Sequence, residues 1–371
     1  MFLKRINLTN FRNYASLELD FDNRPTVLIG DNGAGKSNIL EAVYLLSTTK
    51  SLRVEKEEEL ILDEEEFGRV EGFFRPEDDQ PLAGDETELM VLINRPNSEI
   101  SFKKKVMVNG IARRTLDFIG NLPAVIFYPT DINMVTGSPS LRRWHLDLSL
   151  AQIDTEYKKC LTLYGDFLTA RNKVLKRIRE GLAKLDELDY WTDELIKNGE
   201  IVSKKRKEFF EFINGLVTPL GEFKFEYSQS LISLEKLKET NGREVAAAQT
   251  LIGPHRDDFK ITLDERNMSS YGSRGEQRTA TLAFKLAQLE YMAAHPASGG
   301  KNLGKRPILL LDDVFSELDG SHRAHVVDIV SKQQTVIATV ELENIPKEFL
   351  DSARILTVEN GQIRSSLRGT K

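Results

Sequence analysis

The sequence predicts an α/β fold in which a mixed sheet surrounds a helix that follows a glycine-rich loop. An antiparallel lobe adjoins this sheet, and a mainly helical arm is inserted. Three observations support this class: strand patterns flank a glycine-rich loop at 30–37, an apolar strand over 308–311 ends in two carboxylates, and helical periodicity occupies 139–215. We therefore expect one head, built from both ends of the chain and interrupted by the arm.

Length and composition set the outer limits of this prediction. The chain has 371 residues, which suits two or three domains at about 100–200 residues each. Its 51 Lys and Arg against 57 Asp and Glu give a net charge of −6, which argues against a protein that coats DNA over its whole surface. The single cysteine, Cys160, excludes a disulfide framework and a cysteine-based zinc site.

Targeting signals and membrane segments are not expected. No apolar run approaches the roughly 20 residues that a membrane helix needs. The opening residues, MFLKRINLTNF, have a small basic flank but lack the apolar core of a signal peptide. We therefore expect a cytoplasmic protein that uses no membrane.

The N-terminal part of the chain is predicted to contain strands around one helix. Apolar and polar residues alternate through 1–29, which predicts short strands. A helix is expected from about Lys36 to Leu46. Further strands are expected over 53–115, where Asn109-Gly110 predicts a tight hairpin turn and 76–87 a polar loop.

The central part changes to a helical period. Apolar residues at spacings of three, four and seven predict two antiparallel helices that resemble a short coiled-coil hairpin. The residues that carry this pattern are Ile153, Tyr157, Cys160, Tyr164, Phe167, Val174, Ile178, Leu195, Val202 and Phe209.

Strand patterns return in the C-terminal part. The polar segments 239–244 and 296–306 are expected to be flexible. The elements expected there are helices over 275–294 and near 321–332, and strands over 307–311 and 335–339.

The strongest chemical signal is the glycine-rich loop between a predicted strand and a predicted helix. It matches G-x-x-x-x-G-K-[ST], in which glycines let backbone N–H groups surround a phosphate and the helix N-terminus adds a favourable dipole. Lys36 is expected to reach the β- and γ-phosphates of ATP, and the Ser37 hydroxyl to bind Mg²⁺. A glycine-rich turn without a ligand is the alternative. The residues expected to bind the nucleotide are Gly30, Asp31, Asn32, Gly33, Ala34, Gly35, Lys36 and Ser37.

The second signal is the apolar run that ends in two carboxylates. Residues 308–311 predict a buried parallel strand, followed by Asp312 and Asp313. If this strand neighbours the one before the P-loop, Asp312 suits the Walker B role of holding Mg²⁺ with Ser37, and Asp313 can polarise the attacking water. The catalytic residues expected are therefore Asp313, Asp312 and Lys36. A strand that ends in a solvated acidic turn is the alternative.

The third signal opens the helix predicted over 275–294. The segment SRGEQ places a serine and a glycine at a helix start, an arrangement that can bind an anion, although alone it is an ordinary N-cap. In ABC-type ATPases this element contacts the γ-phosphate bound by the other subunit. Ser273, Gly275 and Gln277 are therefore expected to complete the nucleotide site of a second copy.

Segments along most of the chain resemble one family. The opening INLTNFRNY at 6–14, with 30–38 and 40–42, resembles the head of the SMC and RecF group. The segments that resemble RecF proteins more specifically are 48–53, 129–147, 253–258, 273–279 and 311–319. From residue 1 to about 340 the chain is thus similar to the RecF family of bacterial recombination-mediator ATPases, which implies an ABC/SMC-type P-loop ATPase head.

This resemblance implies an ATP-dependent DNA-binding protein of DNA replication and recombinational repair. ATP and Mg²⁺ are the implied cofactors, with an ATP-induced homodimer, weak ATPase activity, and binding to double-stranded, gapped or junction DNA. RecR is the implied partner in loading RecA, and RecO and RecA are indirect ones. By the same resemblance, Arg12 and Asn38 join the residues that contact the nucleotide. The implied domains are a head part at 1–130, the arm at 131–245 and a second head part at 246–371.

Some positions depart from these patterns. Thr130 stands where the family usually has an acid, and His145 where it usually has an aromatic residue. Val340 follows Thr339 where ABC transporters carry a histidine, and 125–129 contain no glutamine for a Q-loop. These absences weaken the alternative of an ABC-transporter ATPase subunit and leave Thr339 as a candidate γ-phosphate sensor. A small-molecule kinase, which a P-loop also permits, fits the third signal poorly.

Three basic runs are candidates for contact with DNA phosphates, although each is equally consistent with a solvated face. They comprise Arg171, Lys173, Lys176, Arg177 and Arg179, then Lys204, Lys205, Arg206 and Lys207, and finally Lys103, Lys104 and Lys105. The acidic stretch 55–66 is expected to face solvent or to repel DNA from that edge. The Arg142-Arg143 pair has either a structural role or a place near the nucleotide or the dimer face. A metal site at His255, Asp257 and Asp258 is the less favoured alternative to a local structural role.

Overall fold

The chain divides into two compact units. The computed structural model describes residues 2–75, 86–96, 102–218, 220–296, 306–318 and 320–365. Unit 1 comprises Met1–Asp131 and Leu282–Lys371, and unit 2 comprises Ile132–Thr281. Residues 246–281, assigned by resemblance to the head, pack within unit 2. The expected polar loop at 76–87 and flexible segment at 296–306 lie almost wholly outside the described residues.

The described elements are helices and strands in alternation. The strands are β1 (Phe2–Phe11), β2 (Tyr14–Asp20), β3 (Thr26–Ile29), β4 (Phe67–Arg75), β5 (Thr87–Asn94), β6 (Lys104–Val108), β7 (Ile111–Arg113), β8 (Ala124–Phe127), β9 (Lys224–Ser228), β10 (Asp258–Leu263), β11 (Arg266–Asn267), β12 (Ile308–Asp312), β13 (Thr335–Thr339), β14 (Arg354–Glu359) and β15 (Gln362–Ser365). The helices are α1 (Lys36–Thr48), α2 (Thr115–Phe118), α3 (Asn133–Thr136), α4 (Pro139–Ile153), α5 (Thr155–Arg179), α6 (Asp189–Asn214), α7 (Leu234–Ala247), α8 (Met268–Tyr271), α9 (Arg274–Ala294), α10 (Gly320–Val330) and α11 (Lys347–Ser352). The predicted C-terminal helices and strands are confirmed, with ends that differ by at most two residues.

The mixed sheet of unit 1 brings separate parts of the chain to one edge. Its described strands follow the order β15-β14-β3-β13-β12-β8, all parallel except β15. β12 and β13 are apolar and buried, as strands covered on both faces must be. The register places Asp312 opposite Ala338 and Thr339 opposite Ile29. The carboxyl ends of β3 and β12 therefore meet at one edge, with β13 between them.

α1 is the helix around which unit 1 is built. It contacts β12 and β13 of the mixed sheet and β4 and β5 of the antiparallel sheet. A helix packed on several sides needs an apolar surface nearly all round, and this one provides it. It runs two residues past its predicted end, until Thr49 adopts a left-handed φ of +58°. Its apolar residues include five that are fully buried: Ile39, Leu40, Ala42, Val43 and Leu46.

The antiparallel sheet forms the other lobe of unit 1. Within the described residues its order is β2-β1-β4-β5-β6-β7. Burial alternates along β4 because successive side chains point to opposite faces, one of which packs on α1. Asn109 and Gly110 join β6 to β7 with φ of +50° and +72°, so the predicted hairpin turn is confirmed.

α5 and α6 form the predicted helical hairpin of unit 2. Arg206 donates to the hydroxyl of Tyr157, and Arg171 donates to that of Thr192, so the two helices run antiparallel. Tyr164, one of the pattern residues, lies in a buried cluster between them. Across the described ranges, no helix combines the length and the apolar composition that crossing a bilayer would require.

Segment 239–244 belongs to a helix, so its predicted flexibility is wrong. α7 begins after Ser233, whose hydroxyl caps the first turn, and it contains the fully buried Glu244. Glu244 accepts a hydrogen bond from Arg171 at 2.7 Å, and the guanidinium also donates to two threonine hydroxyls. Buried charges require such partners. The polar residues of the segment therefore include half of an internal ion pair.

Arg206 is equally internal. Only 2 % exposed, it donates to the carboxylates of Asp147 and Asp257 at 2.8 and 2.9 Å and to the hydroxyl of Tyr157 at 3.0 Å. Arg171 and Arg206 therefore cannot contact DNA, and two of the three basic runs each lose one of their cations. The sequence does not distinguish a buried arginine from its exposed neighbours in a basic run.

The histidine and carboxylates of the candidate metal site each have separate protein partners. His255 Nδ1 accepts from the Tyr164 hydroxyl at 2.6 Å, and its Nε2 donates to a backbone carbonyl at 3.1 Å. Asp258 accepts two hydrogen bonds from Arg142 at 2.7 and 2.9 Å. Arg143 donates to the backbone carbonyl of Asp257 at 2.6 Å. These contacts give the whole group, including the Arg142-Arg143 pair, a structural role in unit 2.

Burial of His255 predicts a stability that depends on pH. Burial lowers the pKa of His255 to about 4, against 6.5 for an unperturbed histidine. Between these values the unfolded chain binds a proton that the folded chain does not. The free energy of unfolding should therefore fall as the pH decreases from 6.5 to 4, by up to about 3 kcal/mol. Chemical denaturation across this range measures the decline. H255N cannot gain the proton, so an equally steep decline in this variant would contradict the prediction.

Candidate nucleotide-binding site

The predicted P-loop joins β3 to α1, and neighbouring atoms leave no room for a side chain at two of its glycines. Gly35 has a φ of +116°, and a Cβ there would lie 2.5 Å from the Tyr14 hydroxyl. A Cβ on Gly30 would lie 2.2 Å from the carbonyl oxygen of Val358. The loop therefore turns tightly into the first turn of α1, where helix N–H groups favour an anion.

Polar side chains hold the P-loop from outside. The carbonyl of Ala34 accepts from the Gly361 N–H at 3.2 Å and from the Asn13 amide at 3.1 Å. Asn13 in turn accepts from the Asn38 amide at 2.8 Å, and Asn38 accepts from Arg53 at 2.9 Å. Asn38 thus supports the loop from α1, and its contact with a nucleotide stays a prediction.

Lys36 lies within the curl of the loop. Its ammonium donates to the carbonyl oxygens of Gly30 and Asp31 at 2.7 and 2.9 Å. Partial burial lowers the pKa of Lys36, while the charges of Asp312, Asp313 and Asp31 act in the opposite direction. A largely buried cation in a loop at the start of a helix is suited to a polyphosphate.

The P-loop and the Walker B strand meet in one hydrogen bond. The Ser37 hydroxyl donates to Oδ1 of Asp312 at 2.9 Å. Burial raises the pKa of Asp312, which the bond from Ser37 and the charges of Arg53 and Lys36 oppose. The structure thus brings together the two oxygen donors that the sequence assigned to Mg²⁺.

These donors fit a magnesium ion that is shared with a nucleotide. Hydroxyl and carboxylate oxygens are the ligands that Mg²⁺ prefers, and it usually takes one or two from protein and the rest from phosphates and water. In the part of the chain that the structure describes, no group of three His, Cys, Asp or Glu side chains could hold a metal by itself. Ser37 and Asp312 are therefore suited to hold Mg²⁺ beside a nucleotide, and this role stays a prediction.

Asp313 has an unusual backbone at the end of β12. Its φ is +50°, and its N–H donates to Ala338 at 2.8 Å while its carbonyl accepts from the Ser316 hydroxyl at 2.8 Å. A left-handed aspartate costs about 1 kcal/mol or more, and such strain concentrates at functional sites. The bonds on both sides fix Asp313 directly beside Asp312.

Glu41 is the charged centre beside the P-loop, although no sequence pattern predicts a role for it. This carboxylate is 1 % exposed and lies one helical turn beyond Ser37. It accepts hydrogen bonds from Nε and Nη2 of Arg12 at 2.8 and 2.7 Å and from Arg53 at 3.3 Å. The Ser51 hydroxyl also donates to it. Arg12, assigned to the nucleotide by resemblance, is thus held by α1. The available signal was a lone acid in an otherwise apolar stretch of the helix.

The third motif lies in unit 2, at the start of α9. Ser273 is the N-cap: its hydroxyl accepts from the Glu276 N–H at 3.3 Å, and the Glu276 carboxylate accepts from the Ser273 N–H at 2.7 Å. The Gln277 side chain donates to the carbonyl of Met268 at 3.0 Å, and Gly275 is exposed. The P-loop belongs to unit 1, so the role of Ser273, Gly275 and Gln277 in the site of a second copy stays a prediction.

Two other candidates have local partners. The Thr339 hydroxyl donates to the carbonyl of Glu341 at 3.0 Å and accepts a hydrogen bond from the Glu341 N–H at 3.3 Å. These two bonds close a turn after β13. Lys104, in the third basic run, donates to the carbonyl of Thr49 at 3.0 Å and pairs with Glu57. Glu57 of the acidic stretch therefore binds a lysine instead of facing solvent alone, and Thr339 as a phosphate sensor stays a prediction.

The sequence is similar to known proteins along nearly its whole length. The sequence model of the family described as RecF/RecN/SMC N terminal domain matches residues 2–363. The chain is 35 % identical to the DNA replication and repair protein RecF of Bacillus mycoides (strain KBAB4), over 98 % of each chain. It is 36 % identical to the protein of the same name from Bacillus cereus (strain G9842), again over 98 % of each.

Solved structures confirm the predicted ABC/SMC-type head with mixed and antiparallel sheets. A structure of the recombination mediator protein RecF with ATP matches with a TM-score of 0.83 at 28 % identity, covering 98 % of this chain and 97 % of that one. A second structure of RecF, with an ATP analogue, matches with a TM-score of 0.82 at 28 % identity. The match covers 98 % of this chain and 98 % of that one. The Smc head domain from Pyrococcus furiosus matches with a TM-score of 0.52 at 16 % identity, covering 98 % of this chain and 95 % of that one. This match shows a shared fold alone.

Removal of the Glu41 charge tests how strongly this carboxylate holds the site. In E41Q two guanidinium groups lose their shared buried counter-charge, so the free energy of unfolding should fall by about 3 kcal/mol. E18Q removes a carboxylate that is 63 % exposed and pairs with Arg5. In this variant the free energy of unfolding should fall by less than about 1 kcal/mol. Urea denaturation followed by circular dichroism measures both. Equal losses would show that Glu41 contributes no more than a surface acid.

Proposed function

The chain belongs to the RecF family, and from this premise we propose that it is an ATP-dependent DNA-binding protein of DNA replication and recombinational repair that pairs with a second copy on ATP. One observation carries the nucleotide part: the bond between Ser37 and Asp312, which joins the P-loop to the acidic end of β12. The relatives' printed name, DNA replication and repair protein RecF, supports the DNA part.

ATP is the substrate that the site fits. The loop at 30–37 and the first turn of α1 offer N–H groups to the phosphates, and Lys36 offers the neutralising charge. Arg12 and Asn38 border the loop through Glu41 and Asn13. The RecF–ATP structure that resembles this chain supports the same choice.

Asp313 is the residue we assign to the hydrolytic step. Hydrolysis of ATP to ADP and phosphate needs a water in line with the γ-phosphate and a group that polarises it. Asp313 stands beside Asp312 in a fixed backbone, with a side chain one methylene shorter than glutamate. We therefore expect the water to be held less firmly and the turnover to be slow. When bound, Mg²⁺ between Ser37 and Asp312 would neutralise charge on the phosphates.

Pairing of two copies would complete each site. Ser273, Gly275 and Gln277 lie at an exposed helix start, which can bind the γ-phosphate of ATP held by a second copy. In this arrangement ATP joins the two copies, and its hydrolysis releases them. Dimer assembly then precedes hydrolysis, because neither copy has a complete site alone.

DNA and partner proteins follow from family membership. The resembling RecF structures are described as belonging to the RecFOR pathway. We infer RecR as the direct partner, RecO and RecA as indirect ones, and gapped, junction or double-stranded DNA as the ligand. With Arg171 buried, the exposed cations that remain at the end of α5 are Lys173, Lys176, Arg177 and Arg179.

Lys36→Ala tests the whole proposal. The wild-type protein should dimerise with ATP in light scattering at micromolar concentration, and ATP should raise its retention of gapped DNA in filter binding across a salt series. The variant should bind ATP about tenfold or more weakly, stay monomeric, and retain DNA independently of ATP. Lys347→Ala, which removes an exposed lysine of α11, is the matched control. A wild-type protein that stays monomeric with ATP and binds DNA indifferently to it would refute the proposal.

Asp313→Asn tests the hydrolytic assignment. The amide keeps the size of the side chain but cannot polarise water, so phosphate release should slow roughly 100-fold while ATP still binds. The ATP-held dimer should consequently last longer after dilution, as measured by size-exclusion chromatography. A variant dimer that separates faster than the wild type would contradict the role given to Asp313.

A further inference from the structure

Unit 2 contains an open cavity that takes no part in the proposed ATP site. Its volume is about 320 Å³, which is within the range of natural ligand pockets. It is bordered by α4, by α5 and by the turn at Pro254–Arg256. Half-buried apolar side chains form much of its surface: Trp144 from α4, and Leu161 and Leu168 from α5. The cavity is therefore large enough for one flat ring system.

One wall of this cavity is a glycine in the interior of a helix. Gly165 lies in α5, where glycine weakens the helix relative to alanine. Beyond its chain neighbours and the helix backbone, a Cβ on Gly165 would meet no atom of the described residues within 4 Å. Close packing therefore does not require a glycine here. The glycine leaves space in the cavity, on an exposed side from which a ligand can enter.

Polar groups of the cavity wall already have partners. The Tyr164 hydroxyl donates to Nδ1 of His255 at 2.6 Å, and Nε2 of His255 donates to the carbonyl of Thr250 at 3.1 Å. The carboxylate of Asp147 accepts from Arg206 at 2.8 Å. These groups are bonded to one another, so a ligand must be held by the area of its flat face and by charge.

Positive charge lies at the border of the cavity. The Arg143 guanidinium lines the cavity and donates to the backbone carbonyl of Asp257, a neutral acceptor, at 2.6 Å. Burial and then the charge of Arg206 lower the pKa of Arg143, although nearby carboxylates act in the opposite direction. Arg256 is exposed and follows His255, whose pKa is lowered by burial and further by the charge of Arg256. An anion bound at this border would stabilise both cations.

A flat ring that carries an anion fits these features together. Aromatic side chains stack on every nucleobase, and cations beside them bind the adjoining phosphate. We propose that the cavity receives one unpaired nucleotide of a DNA strand, with its base against Trp144 and its phosphate at Arg143 and Arg256. This inference rests on the proposed function, which supplies DNA as the ligand. It adds a site for single-stranded DNA that works without ATP and has little preference among bases.

Trp144 can report this binding directly. The chain has two tryptophans, so W191F leaves Trp144 as the only one. A short oligo(dT) strand, added to the full-length W191F protein without ATP, should quench this fluorescence because a base stacks on the indole. A blunt duplex should not, since its bases are stacked on each other. Equal quenching by the duplex, or quenching by thymidine monophosphate and not by the strand, would overturn the proposal.

Filling the cavity tests its role in binding. In Gly165→Leu the side chain occupies the cavity, so affinity for oligo(dT) should fall about tenfold. The midpoint of urea denaturation should stay equal or rise, because leucine favours the helix. Gly165→Ala also favours the helix but adds one methyl group, and should bind within about twofold of the wild type. Thr169→Leu, at an exposed position of the same helix, is the matched control. Unchanged binding by G165L would overturn the proposal.

Arg256→Ala tests the phosphate contact. One phosphate contact to a single strand contributes about 0.7 to the slope of log affinity against log salt concentration, so the slope should become shallower by about that amount. Lys347→Ala, which removes an exposed lysine of unit 1, should leave the slope unchanged. An unchanged slope in R256A would overturn the place given to the phosphate.

Failure of the cavity and failure of the proposed function give different results. If ATP leaves the retention of gapped DNA by the wild-type protein unchanged, the proposed function fails. If ATP raises that retention while oligo(dT) neither quenches Trp144 nor responds to G165L, the proposed function stands and the nucleotide cavity is overturned.

Discussion

The hydroxyl of Ser37 meets the carboxylate of Asp312 because β3, β13 and β12 are parallel and in register. The carboxyl ends of parallel strands lie at one edge of the sheet, so loops that are far apart in the chain lie close together there. Lys36 and Asp313 are the chain neighbours of this pair, and backbone hydrogen bonds of their own hold them beside it. A shift of one residue in the register of β12 would turn Asp312 to the other face of the sheet and separate it from Ser37.

Glu41 shows how the surroundings of the P-loop are made rigid. It is a buried acid on an otherwise apolar helix, stabilised by two arginines and a serine from two other segments. From there the hydrogen bonds continue through Asn38 and Asn13 to the carbonyl of Ala34. The phosphate-binding backbone is thus held in place by contacts that need no ligand, the condition for efficient electrostatic binding.

Three arginines of unit 2 use their positive charge within the protein. Arg171 and Arg206 each neutralise buried carboxylates, and Arg142 pairs with Asp258. These pairs link helices to the segments that pack on them, so they specify how the arm folds. The cations of the first two basic runs that stay exposed, and so remain candidates for the proposed contact with DNA, are Lys173, Lys176, Arg177 and Arg179 on α5 and Lys204 and Lys207 on α6.

The sequence by itself determined the features whose causes are local. The glycine and lysine spacing of the P-loop, the Asn109-Gly110 turn and the apolar run of β12 each follow from a few neighbouring residues. Only the tertiary structure decided which charges are buried. Arg171 lies in a basic run and Glu244 in a polar one, and each is internal only because the other, 73 residues away, neutralises it. Burial of a charge depends on a partner from elsewhere in the chain, and no local pattern records that partner.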